Sequence, residues 1–332
     1  MLKPTYKKIL VIRFSSIGHI VLTSPVVRCL KKQIEGENEI HFITKKPYES
    51  LLTANPYIDK IYTIEKNINE VLNQLIDEKY SCIIDLHNNL RSIILRGKLG
   101  CLAYTYNKDN FKKWVLVNFK INKLPKLHIV ERYFEAVRFL HVFNDNKGLD
   151  YFVPENQRVD FDLIPQPFKE NYIVFAIGGT YFTKRLPVVK IIEICKKINH
   201  PIYILGGKED IAVAEEIKKA LGKKVYNGCG LFTINQAASV IERAAKVITH
   251  DTGMMHIAAA FKKEIISIWG NTVPEFGMYP YFPKNQDSSV MVQVENLSCR
   301  PCSKLGYNTC PKKHFKCMEN ISTDEIVQVV NS

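Results

Sequence analysis

Short aliphatic, β-branched runs alternate with amphipathic stretches along this chain, and that alternation leaves few folds open. Ile9–Phe14, Glu39–Thr44, Lys60–Ile64 and Cys82–Leu86 read as strands. Helical spacing over Ile20–Lys32, Pro47–Asn55 and Glu70–Glu78 lies between them. Strands separated by helices pair through βαβ crossovers, so the sheet is parallel and covered on both faces. The pattern loosens over residues 104–127, and Val130–His141 reads as a helix. The stretch Asn144–Pro167, with Asp, Asn, Gly and three prolines, lacks sustained periodicity and reads as a linker.

A second series follows. Tyr172–Ala176, Pro201–Leu205, a short run from Val225, Lys246–Thr249 and Ile265–Trp269 read as strands. Pro187–Lys197, Asp210–Leu221, Thr233–Arg243 and Gly253–Phe261 read as helices. A length of 332 residues suits two cores better than one. The expected architecture is therefore α/β, two Rossmann-like doubly wound domains, residues 1–155 and 156–332, facing a central cleft. Ligands of such sheets sit at the carboxyl ends of the strands.

The formal net charge is +13, and residues 1–150 carry 24 Lys/Arg against 15 Asp/Glu. That excess suits an anionic partner or a basic solvated surface. No zinc-finger spacing or base-stacking module accompanies it, so a nucleic-acid partner is not expected. The apolar run Ile9–Ile12 after Met1–Lys8 is too short for a secretion leader, and no stretch reaches transmembrane length. The chain is expected in the cytoplasm. Lys112, Lys113, Lys120, Lys123 and Lys126 interleave with Phe111, Trp114, Val115 and Phe119. That pattern fits either a solvated amphipathic helix or peripheral contact with the inner membrane face.

Polar residues gather at the strand ends. Asp251-Thr252-Gly253-Met254-Met255-His256 opens a helix, with Asp251 or Thr252 as its cap and a helix N-terminus suited to a diphosphate. Gly178-Gly179-Thr180 precedes Lys184, a point charge for phosphate. Gly206-Gly207-Lys208-Glu209 follows the next strand, where Glu209 can accept from a ribose. In the first half, Arg13-Phe14-Ser15-Ser16-Ile17-Gly18-His19 departs from the G-x-G-x-x-G fingerprint. Asp85-Leu86-His87-Asn88-Asn89-Leu90-Arg91 ends the fourth strand.

The order S-S-I-G-x-I-V-L-T-x-P, D-L-H-N-N-L-R-S, G-G-T-x-x-x-K-x-x-P, L-G-G-x-E-D and H-D-T-G-x-x-H resembles glycosyltransferase family 9 over residues 8–320. That family includes the ADP-heptose:lipopolysaccharide heptosyltransferases. The resemblance implies an inverting, metal-independent GT-B enzyme. It would move heptose from ADP-heptose to a hydroxyl of a lipid-linked, phosphorylated lipopolysaccharide inner-core acceptor. By position, Gly179, Thr180 and Lys184 would meet the diphosphate, Glu209 the ribose and Phe232 the adenine. Asp251, Thr252, Gly253 and His256 would surround the phosphates and donor sugar. Arg13, Ser15, Ser16, His87, Asn88 and Arg91 would face the acceptor.

One departure matters. The family commonly carries an Asp general base where this chain has His19. Imidazole can serve as a base near neutral pH. Asp85 or His87 are alternatives, as is altered activity. A different nucleotide sugar or acceptor, or a non-catalytic sugar-nucleotide or glycolipid binder, are the rival functions. Cys299-x2-Cys302, Cys310 and Cys317, with His314 between, allow a structural zinc; reduced or disulfide-linked thiols fit as well. No cofactor is otherwise required. The last helix, Thr323–Val330, is expected to pack back on the first domain.

Overall fold

The computed structural model describes residues 8–332, so nearly all of the Met1–Lys8 segment read for a leader lies outside the described residues. The chain divides into two compact units. One runs to Lys108 and resumes over Leu127–Pro154; the other comprises Asp109–Lys126 and Glu155–Ser332.

The first unit is a five-stranded parallel sheet. Its strands are β1 (Lys8–Ile12), β2 (Glu39–Lys45), β3 (Lys60–Ile64), β4 (Cys82–Asp85) and β5 (Ala103–Thr105), in the order β3-β2-β1-β4-β5. Ile9 aligns with Ile40 on one side and Cys82 on the other, and Ile9–Ile12 are fully buried. The helices are α1 (Ile17–Val21), α2 (Ser24–Gln33), α3 (Leu72–Asp77) and α4 (Leu90–Leu99). The expected continuous helix Ile20–Lys32 is broken because Pro25 starts a new helix and cannot continue one. Thr23 turns its hydroxyl back onto the Ile20 carbonyl at 2.7 Å. Pro47–Asn55 is instead a 3-10 segment over Lys46–Leu51.

After β5 the chain forms α5 (Asn110–Phe119), which belongs to the second unit, then returns as α6 (Ile129–Phe134) in the first. The helix expected over Val130–His141 stops early and ends in a 3-10 turn.

The second unit holds β6 (Ile173–Ala176), α7 (Val188–Lys197), β7 (Ile202–Leu205), α8 (Ile211–Leu221), β8 (Val225–Asn227), α9 (Ile234–Arg243), β9 (Lys246–His250), α10 (Gly253–Ala260), β10 (Glu264–Trp269) and β11 (Ser289–Gln293). All strand pairs are parallel, in the order β11-β10-β9-β6-β7-β8. Chain order reverses between β6 and β9, and in the first unit between β1 and β4. Those are the topological switch points where ligands of doubly wound sheets bind.

Two further helices, α11 (Lys316–Glu319) and α12 (Thr323–Asn331), close the chain. The last helix packs within the second unit. Ile326 and Val330 are buried in the second unit's core with Ile191 and Ile194 of α7, and Lys197 pairs with Asp324 at 2.7 Å. The apolar face of α12 is spent there.

Candidate functional site

In the second unit, adjacent strands end in a row of small and polar residues. β6 leads to Gly178-Gly179, β7 to Gly206-Gly207, β9 to His250-Asp251 and β10 to Gly270-Asn271-Thr272. Lys184 closes a 3-10 turn after β6. Its Nζ donates to the Asp251 carboxylate at 2.6 Å and to the Asp251 carbonyl at 3.0 Å. Thr272 donates to the same carboxylate oxygen at 2.8 Å. Burial opposes ionisation of Asp251, but Lys184 prevails and holds it below the usual carboxylate range. An ammonium has three protons, so two bonds to Asp251 leave one N–H available.

The cap expectation for α10 needs correcting. Thr252 occupies the N-cap position, yet its side chain makes no capping bond, and Asp251 is engaged by Lys184. The first backbone N–H groups of α10 are therefore not answered by either side chain. The buried atoms Thr252 Oγ1 and His256 Nδ1 have no hydrogen-bond partner among the described residues. Neither does the amide of Asn271, which the motifs did not single out although it is almost wholly buried. Unpartnered buried polar groups at one strand edge are costly unless something else meets them. Burial pushes the imidazoles of His250 and His256 down to about 4, so both are neutral near pH 7. His250 Nε2 accepts from the Leu186 backbone at 3.0 Å and fixes the loop following Lys184.

The glycine pairs have a partner that sequence reading missed. A Cβ on Gly178 would lie 2.6 Å from Asp210 Oδ2, and one on Gly206 2.7 Å from the same atom. Asp210 is buried, accepts from the Gly207 backbone at 2.9 Å and faces Arg185 at 3.5 Å. Gly179 differs. Its nearest neighbours, Arg185, Thr252 and Lys184, leave a Cβ in ordinary contact at 3.4 to 3.8 Å. Thr180 and Glu209 are exposed beside these turns, and Phe232 lies against Gly228 after β8, at the outer end of the row.

In the first unit, the loops after β1 and β4 stand side by side. Arg13 is buried; its guanidinium donates to the Ser15 carbonyl at 2.7 Å and to the Leu86 carbonyl. It ties the two loops together through two of its five N–H donors. Asp85 accepts from the His87 and Asn88 backbones at 2.9 and 2.7 Å. It is fully buried, with Arg96 3.4 Å away. Both bonds end on Oδ1, and the buried Oδ2 has no hydrogen-bond partner among the described residues. Burial, aided by the charges of Arg13, Lys108 and Arg91, pushes His87 down to about 3. A base that weak is a poor candidate. Asn88 donates to the Tyr106 carbonyl at 3.2 Å, and Arg91 lies over the Phe14 ring at 5.8 Å. Ser16 is exposed and Ser15 half-buried. His19, on α1, has its Nδ1 3.2 Å from the hydroxyl of Tyr133 on α6. Tyr133, too, carried no sequence signal.

The C-terminal cysteines do come near one another. Cys299 Sγ lies 3.9 Å from His314 Nε2, while Cys302 Sγ turns to the Cys299 carbonyl at 3.1 Å. Among the described residues no three Cys, His, Asp or Glu side chains are disposed to hold an ion. The arrangement does not fit the structural zinc allowed by the spacing, and all four thiols are unpaired.

Residues 68–311 match glycosyltransferase family 9 (heptosyltransferase). The chain is 25% identical over 290 residues to lipopolysaccharide heptosyltransferase 1 of Campylobacter coli, covering 80% of this chain and 84% of that protein. The fold is similar to a glycosyl transferase family 9 structure from Veillonella parvula DSM 2008. There the TM-score is 0.76 at 18% identity, over 99% of this chain and 97% of that one. It is also similar to E. coli ADP-heptose lps heptosyltransferase II, with a TM-score of 0.72 at 18% identity over 98% and 97% of the two chains. Two parallel α/β sheets with polar strand ends, and a family match over more than half of the sequence, make this chain a GT-B glycosyltransferase belonging to family 9, the heptosyltransferases.

Proposed function

We propose that the protein transfers heptose from ADP-heptose to a hydroxyl of a lipopolysaccharide inner-core acceptor, with inversion at the anomeric carbon. The observation that carries this reading is Lys184 beside the uncapped N-terminus of α10, with Thr252, His256 and Asn271 left unpartnered around it. That edge suits a diphosphate. Asp251 orients the ammonium, and its third proton and the α10 backbone N–H groups can meet phosphate oxygens. Thr180, Gly179 and Gly253 line the approach, Glu209 the ribose and Phe232 the adenine.

In the transfer, the acceptor hydroxyl loses its proton to His19 and its oxygen attacks the anomeric carbon. The bond to the diphosphate breaks, and its electron pair goes to the departing ADP. Lys184 and the helix N-terminus stabilise that charge without a metal. Ser15, Ser16, Asn88 and Arg91 would orient the acceptor, while His87 and Arg13 hold the loops. We assign the reaction to the cytoplasmic membrane face, where a lipid-linked phosphorylated acceptor is presented.

The test is product formation from ADP-heptose and a Kdo-bearing acceptor, with stereochemistry at the new linkage. No product with ADP-heptose, but transfer from a UDP sugar, would sink the donor assignment. Thermal shifts give an independent arm. ADP is expected to stabilise the protein more than UDP, GDP or CMP, by about 2.7 kcal/mol at a hundredfold excess over Kd.

A further inference from the structure

The segment Asp109–Lys126 follows the first unit in the chain but packs on the second. One face of α5 anchors it. Leu116 is buried with Val273 and Phe276, and Val117 and Leu124 join the same cluster. Lys120 closes the helix, its Nζ donating to the carbonyls of Val117 at 2.6 Å and Pro301 at 2.7 Å. The opposite face carries Phe111, Trp114 and Phe119, which are 74%, 48% and 60% exposed. Their rings touch. Phe111 and Trp114 stack with centroids 6.1 Å apart, and Trp114 meets Phe119 nearly edge-on at 5.5 Å. Ile121, just beyond, is also exposed. Single exposed hydrophobics are ordinary, but a contiguous aromatic patch on an anchored helix marks a contact surface.

Charge selects what it contacts. The segment carries five lysines, at 112, 113, 120, 123 and 126, against one acid, Asp109. Asp109 is itself buried and paired with Lys112 at 3.0 Å. Aromatic rings settle at the headgroup level of a bilayer, and flanking ammonium groups are drawn to anionic lipid phosphates. We infer that α5 and the loop after it form a membrane-docking element. It inserts Phe111, Trp114 and Phe119 into the headgroup region of an anionic bilayer, and it is carried by the unit with the nucleotide-sugar strand ends. The inference deepens the reading of a lipid-borne acceptor and rests on it for its use, but its test needs no acceptor.

The chain has two tryptophans, and Trp269 is buried in β10, so Trp114 reports on this surface. Vesicles of phosphatidylethanolamine with phosphatidylglycerol are expected to shift the emission of the full chain to the blue. Acyl-brominated lipid is expected to quench it. The shift disappears in Trp114→Phe and is small with phosphatidylcholine vesicles. The double variant F111S/F119S partitions about tenfold less or weaker. The variant K123Q/K126Q loses roughly fivefold per charge at low salt, a difference that fades at high salt. Unshifted emission on anionic vesicles, or undiminished binding by F111S/F119S, overturns the inference. So does emission already blue in a dimer and red-shifted on dilution, because a second copy then covers the patch. Transfer to a water-soluble, delipidated acceptor is read separately, and the α5 variants are expected to keep wild-type kcat there. If wild type binds vesicles but makes no product, the proposed function falls and the docking element stands.

Discussion

The Tyr133 hydroxyl stands 3.2 Å from Nδ1 of His19, and the relationship decides which imidazole nitrogen is available for chemistry. Burial holds Tyr133 far above its ordinary pKa, so the phenol keeps its proton, and its hydroxyl also interacts with Tyr106. If the phenol donates toward Tyr106 it accepts from Nδ1–H of His19, which makes Nε2 the unprotonated nitrogen, the form a base requires. Tyr133→Phe is expected to lower kcat about tenfold with little change in KM, because the ring loses its orientation. His19→Ala should cost about a hundredfold or more. In His19→Asp the acidic limb of the pH–rate profile moves to lower pH. An acidic limb identical in wild type and His19→Asp would remove His19 from the proton transfer.

Lys184→Ala removes both the cation facing the leaving diphosphate and the partner of a buried carboxylate. Turnover is expected to fall about a hundredfold to a thousandfold. Stability falls too, by an amount on the order of 3 kcal/mol, since Asp251 is left buried and unpaired. The double variant Lys184→Met with Asp251→Asn separates the two effects: denaturation midpoints recover, turnover does not. Wild-type turnover in Lys184→Ala would end the assignment.

Gly178 and Gly206 should respond to substitution differently from Gly179. Alanine at Gly178 or Gly206 has no room beside Asp210 and is expected to lower the melting temperature. Alanine at Gly179 meets only ordinary contacts and should leave stability unchanged while weakening nucleotide binding. Calorimetric melting paired with ADP titration checks this. Equal destabilisation at 178 and 179 would contradict it.

Acid should weaken the second unit through its two buried imidazoles. Folded values of about 4 for His250 and His256 lie below the ordinary value of about 6.5, so the unfolded chain binds more protons between those limits. Stability is therefore complete above about pH 6.5 and is lost as pH falls toward 4, by at most roughly 3 kcal/mol per imidazole. Asp251 acts at lower pH: its depressed pKa gives stability that is present above the unfolded carboxylate value and disappears as pH falls through the folded one. Melting temperatures across this range test the first effect, with His256→Asn expected to flatten the curve. A melting temperature constant from pH 7 to pH 4.5 would contradict it.

Much of the architecture was legible because the strands are short, apolar and followed by glycine or polar residues. Lys60–Ile64 is a strand over the residues expected, and in the second unit the helix and strand limits move by only a residue or two. The misses have local causes. β5 is three residues long, with no residue fully buried, so its sequence carries no apolar run. α4 is capped by Asn89, whose side chain and that of Ser92 bond reciprocally, in a stretch that reads equally for ligand contacts and for capping by Asn. The excursion of Asp109–Lys126 was not visible, since nothing in a sequence says which core a half-apolar helix will join. Lys184 and Asp251 were each singled out in the sequence, but not that they hold one another. Asp210, Asn271 and Tyr133 act through burial, and burial of a lone polar residue leaves no pattern along the chain.

The buried Asp210 has a consequence for how such chains diverge. Its carboxylate occupies the space that side chains at 178 and 206 would need, and it holds the Gly207 amide. Two glycines on two turns thus crowd against a single acid. A descendant that lost Asp210 would relax the steric demand at position 178 in one step, while position 206 would still face the Cys229 sulfur at 2.9 Å and Gly179, which answers to no neighbour so closely, would remain under whatever selection the nucleotide imposes. Paired drift at 178 and 210 in a lineage, with 179 held fixed, would record the retention of ligand binding after the internal lock had been replaced.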